Sequence, residues 1–384
     1  MMKKCLSAVF SLLALAVCAR TASWETRFEG DRTTLLRNGV EFTFQDCVRE
    51  QMKLHPSMQA EDLLKQCYQG AYGPGHILGR TDTAKTAFDA EFSSVSARPD
   101  KPLFEIISPD FMRVDLGAWK ASGMPSEWLF RMFADSARTF DDSDQLLQKY
   151  LDEAEGLLQG EPRARFAEMR KELRTAPHHS QIYRDAEKPS YRLVSTRLLQ
   201  AFPVLAKAAA LPGKPLRVLA IDGRSASGKT TLARQLASIL KADVVHMDDF
   251  FLPPELRTPA RYEEPGGNVH YERFMVEVLP HLGKTEPFSY RKFDCSTMKP
   301  GDIRDIRSSQ WRIVEGAYSL HPKFDRYADL TVFYDISPDE QMRRIRLRNG
   351  ERGAKMFQTR WIPLEELYIR ECDPIRHADL VIGR

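Results

Sequence analysis

The chain has no cysteine pair at metal-ligand or redox spacing. Its six cysteines, Cys5, Cys18, Cys47, Cys67, Cys295 and Cys372, are scattered over 384 residues without a CxxC pair or histidine-rich spacing. That argues against a zinc module or a disulfide framework, and free, mostly buried thiols are expected. Charge of one sign is equally scarce. A formal net charge of +3 is close to neutral for this size, so no global field draws the chain to nucleic acid or to an anionic membrane. Internal repeats and low-complexity tracts are absent. Long apolar runs are missing apart from residues 5–17, which follow Lys3 and Lys4 and precede small residues around Ala19 and Ala22. Residues 1–22 therefore have the order of a secretory signal, and the run is too short to span a bilayer comfortably. Val17 is larger than the small residue wanted before a lipidated cysteine, which disfavours Cys18 as an anchor.

What is present fills two domains, as the length suggests. Residues 41–210 carry mostly helical periodicity: 42–53, 58–67, 81–95, a helix opened by Pro125, two charged helices at 141–158 and 162–175, and a last one at 193–210. One short extended piece is expected at 102–107. Two loops with histidine stand out, 71–76 (AYGPGH) and 177–180 (PHHS). Each is read as a histidine capping a helix or bonding a turn, because no carboxylate or cysteine stands at ligand spacing. No catalytic motif is found in this half. The stretch 210–215, ALPGKP, stops the last helix with turn-prone residues and reads as the linker.

From 216 to 384 short apolar runs alternate with helical ones. Strands are expected at 217–222, 244–247, 311–315, 330–335 and 379–382, and helices at 229–240, 271–282 and 339–348. The pattern predicts an α/β fold, a parallel sheet with helices on both faces, in which ligands bind beyond the carboxyl ends of the strands. The first strand runs into RVLAIDGRSASGKTTL at 217–232. Gly223 and Gly228 let the backbone turn tightly, so that N–H groups of the loop Ser225-Ala226-Ser227 face a polyphosphate. The following helix aims its positive end at the same anion. Lys229 is placed to reach β and γ phosphates, and the Thr230 hydroxyl to meet Mg²⁺, with Thr231 completing the motif. A nucleoside triphosphate, ATP, with Mg²⁺ is the cofactor this predicts.

The second strand ends in His246-Met247-Asp248-Asp249-Phe250-Phe251 and the third in Arg312-Ile313-Val314-Glu315-Gly316. With the phosphate loop before them and an arginine-rich segment after them, this order resembles the uridine kinase group, which includes phosphoribulokinase and bacterial pantothenate kinase. The resemblance covers residues 217–384. It implies that Asp248 deprotonates the acceptor hydroxyl and that Glu315 helps hold metal and substrate. Asp248 is also counted with Thr230 and Glu315 around the metal. Phosphoryl transfer needs such a carboxylate near the attacking hydroxyl and positive charge around the γ-phosphate. Asp249 is the rival base, read instead as an exposed carboxylate capping the next turn, and Asp335 is read as structural. Six cations, Arg343, Arg344, Arg346, Arg348, Arg352 and Lys355, face the single acid Glu351 within 343–355. This resembles a lid in which Arg344 and Arg348, one turn apart, reach phosphates. It departs from the family where Leu347-Arg348 stands in place of Arg-Asp. His270, Tyr290, Arg291 and Asp294 occupy stretches where uridine kinases handle the nucleoside, though neither stretch copies that family's substrate motifs.

The expected function is thus a kinase moving the γ-phosphoryl group of ATP to a hydroxyl of a small molecule, a nucleoside first. The alternatives are another hydroxyl metabolite or sugar phosphate as acceptor, and a nucleotide switch acting on the helical half. Partners are ATP and the acceptor, with no nucleic acid and no stable membrane association. A cytoplasmic location follows from where ATP and Mg²⁺ are plentiful; export is the alternative if residues 1–22 are a true signal.

Overall fold

The computed structural model describes residues 24–30, 32–78, 81–137 and 141–383. The signal-like residues 1–22 and the His76 side chain lie outside what is described. No helix among the described residues is long and apolar enough to cross a membrane. The described residues fold as two compact units that divide between Ala209 and Ala210.

In the first unit, strands β1 (Trp24–Glu29), β2 (Arg32–Arg37) and β3 (Val40–Glu41) form an antiparallel meander, and β4 (Phe104–Ile106), β5 (Phe111–Asp115) and β6 (Tyr191–Ser195) form a second three-stranded sheet. Around them lie α1 (Phe44–Leu54), α2 (Ala60–Tyr72), α3 (Gly75–Leu78), α4 (Thr81–Ser94), α5 (Leu116–Ser122), α6 (Ser126–Ser136), α7 (Ser143–Leu157), α8 (Gly160–Glu172), α9 (Gln181–Glu187) and α10 (Ala201–Ala209). Helix is therefore dominant, as periodicity predicts, but only one of the six strands was expected. The helix expected from residue 193 begins at Ala201, because Leu193 and Val194 pair with β5 instead. α1 starts where it does because Thr43 and Asp46 close a capping box, satisfying two of the free N–H groups of its first turn. Phe44, Val48, Leu63, Leu64, Leu151 and Phe166 then bury one face each of α1, α2, α7 and α8 in a common core. α2 stops at Gly73, whose φ of +59° suits glycine. A Cβ there would also meet the Phe111 ring at 2.2 Å.

In the second unit, β7 (Arg217–Gly223), β8 (Asp243–His246), β11 (Trp311–Glu315), β12 (Leu330–Tyr334) and β13 (Leu380–Ile382) form a parallel sheet in the order β13-β12-β7-β11-β8. The central strands β7, β11 and β12 are apolar almost throughout because both faces are covered. Helix α11 (Lys229–Leu240) follows β7, and α12 (Pro259–Glu263), α13 (Tyr271–Glu277) and α14 (Leu279–Leu282) follow β8. The helix expected over 271–282 is broken at Val278, whose φ/ψ is not helical and which precedes Leu279-Pro280. β9 (Phe288–Asp294) and β10 (Lys299–Ile306) form an antiparallel hairpin that was not anticipated. α15 (Pro338–Met356) carries a kink at Gly350 and passes through a π turn at Phe357–Trp361 into α16 (Ile362–Cys372) and α17 (Pro374–His377).

Candidate active site

The phosphate loop bridges the end of β7 and the start of α11. Gly223 and Gly228 have φ of +153° and +108°, and a Cβ on Gly223 would meet the Tyr334 carbonyl at 2.3 Å. Glycine is required there by both conformation and space. The loop is held from beneath by acids. Asp222, buried, accepts from the backbone N–H of Tyr318, Leu320 and Gly223 and from the Tyr368 hydroxyl. Burial pushes its carboxyl up to about 6 despite those bonds. Arg224 is tied to Asp335 at 2.8 Å and to Glu366. Asp335 is thus a structural counter-ion, as the sequence suggested. Glu365, 2% exposed, accepts from Ser225 N at 2.6 Å and Ser225 Oγ at 2.7 Å, and takes a bond from Gln341.

Above the loop opens a cleft of about 640 Å³ lined by Ser225, Ala226, Gly228, Lys229, Thr230 and Thr231 with Asp248, Asn268, Arg344 and Arg348. The Ser227 hydroxyl is buried beneath it. Lys229 Nζ rests on the Arg224 carbonyl at 3.2 Å. Thr230 Oγ donates to Glu315 Oε2 at 3.1 Å, and the other Glu315 oxygen pairs with His246 Nδ1 at 2.5 Å. That hydrogen bond raises the His246 pKa against its burial. A hydroxyl beside a buried, oriented carboxylate at the end of a parallel strand fits Mg²⁺, which takes few protein oxygens and completes its shell with phosphate and water. Glu315 is buried behind the Thr230 hydroxyl, while Asp248 is a further oxygen donor and lines the cleft with Thr230. Its carboxylate reaches solvent through the cleft but is crowded by protein. That desolvation raises its pKa, with Lys229 opposing and Glu315 adding to the rise. Among the described residues it makes no hydrogen bond and no ion pair. Asp249 differs: it is buried rather than exposed, and accepts from the Tyr290 hydroxyl at 2.7 Å. The hairpin missed in the sequence supplies that partner.

Arg344 donates to the Ser227 carbonyl at 2.7 Å and to Glu340 Oε1 at 2.7 Å, and Arg343 pairs with the same Glu340. One acid, a turn earlier than the charged segment, thus compensates two of its cations. Arg348 lies over the Phe357 ring, 5.5 Å from its centre. His270, Tyr290 and Arg291 line a second cleft of about 780 Å³ together with Glu255, Arg273 and Phe293. Asp294 lines neither cleft; it accepts from Ser296 N and Oγ at 2.8 and 2.7 Å and closes the turn between β9 and β10. Four residues with a part in the site were not singled out in the sequence: Asp222, His246, Asn268 and Glu365. Asp222 and His246 carried a signal, since each stands at the carboxyl end of a strand beside the motif.

Strand–loop–helix geometry, sheet order and the Lys229–Thr230–Glu315 grouping define a P-loop phosphate-binding site in a parallel α/β fold. Among curated proteins the chain is similar to a cytidylate kinase from Pyrobaculum arsenaticum, at 25% identity over 137 residues. That match covers 35% of this chain and 61% of the relative, so the chain spans about three-fifths of that protein's length. Among solved structures it is similar to one described as a possible uridine kinase from Bacillus stearothermophilus, at 24% identity and a TM-score of 0.37, covering 46% of this chain and 94% of the other. A candidate fructose transport system kinase from Silicibacter sp. TM1040 shows 20% identity and a TM-score of 0.36, with 45% and 92% covered. No family model matches the chain.

Proposed function

We propose that residues 216–384 form an ATP- and Mg²⁺-dependent kinase that transfers the γ-phosphoryl group to a hydroxyl of a small molecule, a nucleoside being the acceptor the cleft fits best. The observation that carries this is Asp248: a carboxylate bound to no other side chain, in the same cleft as Lys229 and Thr230. A structural acid would be paired, as Asp222, Asp249 and Asp335 are. One left unpaired beside a phosphate loop is available to accept a proton from an attacking hydroxyl. Mg²⁺, held through Thr230 and Glu315, would neutralise charge on the β and γ oxygens when bound. Lys229 supplies fixed positive charge from the loop side, and Arg344 and Arg348 supply it from α15.

The acceptor class rests on Asn268. Its Oδ1 is buried and has no partner among the described residues, and it lines the same cleft as Phe251 and Tyr318. Two aromatic residues and a free acceptor in one cleft suit a flat heterocycle bearing an N–H. His270, Tyr290 and Arg291 would then serve a longer acceptor that extends into the second cleft. The test is ATP consumption, with product mass, against a panel of nucleosides and other hydroxyl metabolites. Phosphorylation of a non-nucleoside alone would correct the acceptor. ATP binding without transfer to any acceptor would remove the kinase reading.

A further inference from the structure

In the first unit a buried arginine and a half-buried lysine, Arg113 and Lys65, have no acid partner among the described residues. Arg113, 4% exposed, donates only to amide oxygens: Nε and Nη2 to Gln69 Oε1 at 3.1 and 2.9 Å, and Nη1 to Gln51 Oε1 at 3.4 Å. Lys65, half-buried, donates only to the Pro177 carbonyl at 2.9 Å. Burial pulls its ammonium down to about 8, with Arg113 adding to the drop and Asp62 opposing it. Among the described residues no carboxylate lies within ion-pair distance of either cation.

The acids nearby are already committed. Asp62 accepts from Gln59 N, Ser180 N and Ser180 Oγ and pairs with His179 Nδ1 at 2.7 Å. Glu105 takes His55 Nε2 and Gln51 Nε2, and Glu187 takes Lys101 and His55 Nδ1. With Asp62 as acceptor, His179 carries its proton on Nδ1, and Nε2 accepts from the Tyr191 hydroxyl at 2.7 Å. The Tyr191 oxygen in turn accepts from Gln69 Nε2 at 3.0 Å. Tyr183 stacks on His179 with ring centres 4.5 Å apart. It is 3% exposed, and its hydroxyl has no partner among the described residues.

A buried charge is normally paired, because desolvation without a counter-charge is costly. Here two cations bonded only to neutral oxygens, and one hydroxyl donor without a partner among the described residues, border a network whose acids are engaged elsewhere. We infer that this cluster, Lys65, Arg113 and Tyr183 around the Asp62–His179–Tyr191 chain, is a binding site for a phosphoryl dianion. A phosphate monoester carries nearly two negative charges at neutral pH and three acceptor oxygens, matching both cations and the spare hydroxyl. A monocarboxylate would neutralise one cation only. A guanidinium suits such oxygens through paired donors, and Arg113 would exchange its Gln69 and Gln51 acceptors for them, while the neutral histidine, held by Asp62 and Tyr191, adds no third charge. Free phosphate and a phosphorylated metabolite share this chemistry. The inference stands whether or not the second unit is a kinase.

The phosphate loop also binds phosphate, so the readout must be local. Trace acetylation of the full chain, mapped by mass spectrometry, reports Lys65 and Lys229 separately. With inorganic phosphate, and ionic strength balanced by chloride, Lys65 labelling is expected to fall roughly tenfold once phosphate reaches about ten times its Kd. The same protection is expected in Lys229→Ala, and it should be lost in Arg113→Gln. Because Arg113 is buried, near-UV circular dichroism checks that variant's fold. Lys65→Gln in the Lys229→Ala background provides a second route, expected to abolish the phosphate heat seen by calorimetry. Protection by glycerol phosphate at lower concentration than inorganic phosphate assigns the site to a monoester, and the reverse order assigns it to free phosphate. Protection confined to Lys229, persistence of Lys65 protection in a folded Arg113→Gln, or equal protection by acetate overturns the inference.

Discussion

At the scale of single residues, the site separates acids by what holds them. Asp248 is unpaired and Asp249 is tied to Tyr290, so the two neighbours should respond differently to the same change. Asp248→Asn keeps size but cannot accept a proton, and transfer is expected to fall by about 10²-fold or more while ATP affinity changes little. Asp249→Asn should act mainly through the position of Tyr290, with a smaller loss. Steady-state rates and binding of a fluorescent ATP analogue check both. Because desolvation raises the Asp248 pKa, the acid limb of kcat/KM should lie above the value of a free aspartate. That limb should vanish in whatever residual activity Asp248→Asn retains. Lys229→Ala, which removes fixed charge facing the β and γ oxygens, is expected to cost about 10²–10³-fold in turnover with the fold intact. Asp222 gives a stability test with a definite sign. Its folded pKa of about 6 lies above the unfolded 3.8, so the folded chain binds its proton more tightly. Its contribution is fully present below the unfolded value and is lost as pH rises through about 6. The stability of wild type relative to Asp222→Asn should fall between pH 4 and pH 7, by about 3 kcal/mol at most, and urea unfolding at several pH values measures it.

At the scale of elements, the phosphate loop depends on a helix far away in sequence. α16 brings Glu365 against Ser225 and Glu366 against Arg224, so the loop's shape is set by a segment 140 residues downstream. Glu365→Ala leaves the half-buried N–H of Ser225 and the buried Gln341 amide without an acceptor, at a cost of roughly 1–3 kcal/mol. The expected result is a lower Tm and weaker ATP binding together, whereas Glu365→Gln, which keeps one acceptor, should fall between. The same element shows where sequence reading stops. The five strands of the parallel sheet and α11 were legible because short apolar, β-branched runs alternate there with longer helical ones, the first strand breaking at Gly223 into the phosphate loop. Lys229, Thr230, Asp248 and Glu315 were singled out because they stand at strand ends or in the loop. Glu365 was not, since a glutamate in an amphipathic helix looks solvated until the fold buries it. The β9–β10 hairpin was missed because FSYRKFD and KPGDIRDI carry charges on the exposed face and lack a tight-turn signature. In the first unit the buried network failed to show for a related reason: His179 meets Asp62 across 117 positions.

At the scale of the molecule, the two units carry separate cores, one around Phe44, Leu64 and Phe166 and the other around Val218, Phe274 and Val314. Each core is built from its own unit's residues, and residues 210–215 between them are short and turn-prone. We therefore expect a chain beginning near Lys214 to fold and to bind ATP without the first unit. Lys214 itself pairs with Asp329 and Arg217 donates to the Pro212 carbonyl, so a start at 212 keeps both contacts and is the better place to cut. The decisive measurement is near-UV circular dichroism with cooperative urea unfolding, followed by titration with the fluorescent ATP analogue. A native-like spectrum, a single transition and a Kd close to that of the full chain would establish the second unit as autonomous. Molten or insoluble material from a cut at 212 would mean that the first unit completes the nucleotide-binding core. ATP binding with lost acceptor turnover would instead place the contribution of the first unit at the acceptor, so the truncated chain is to be assayed with the substrate panel as well as with the nucleotide.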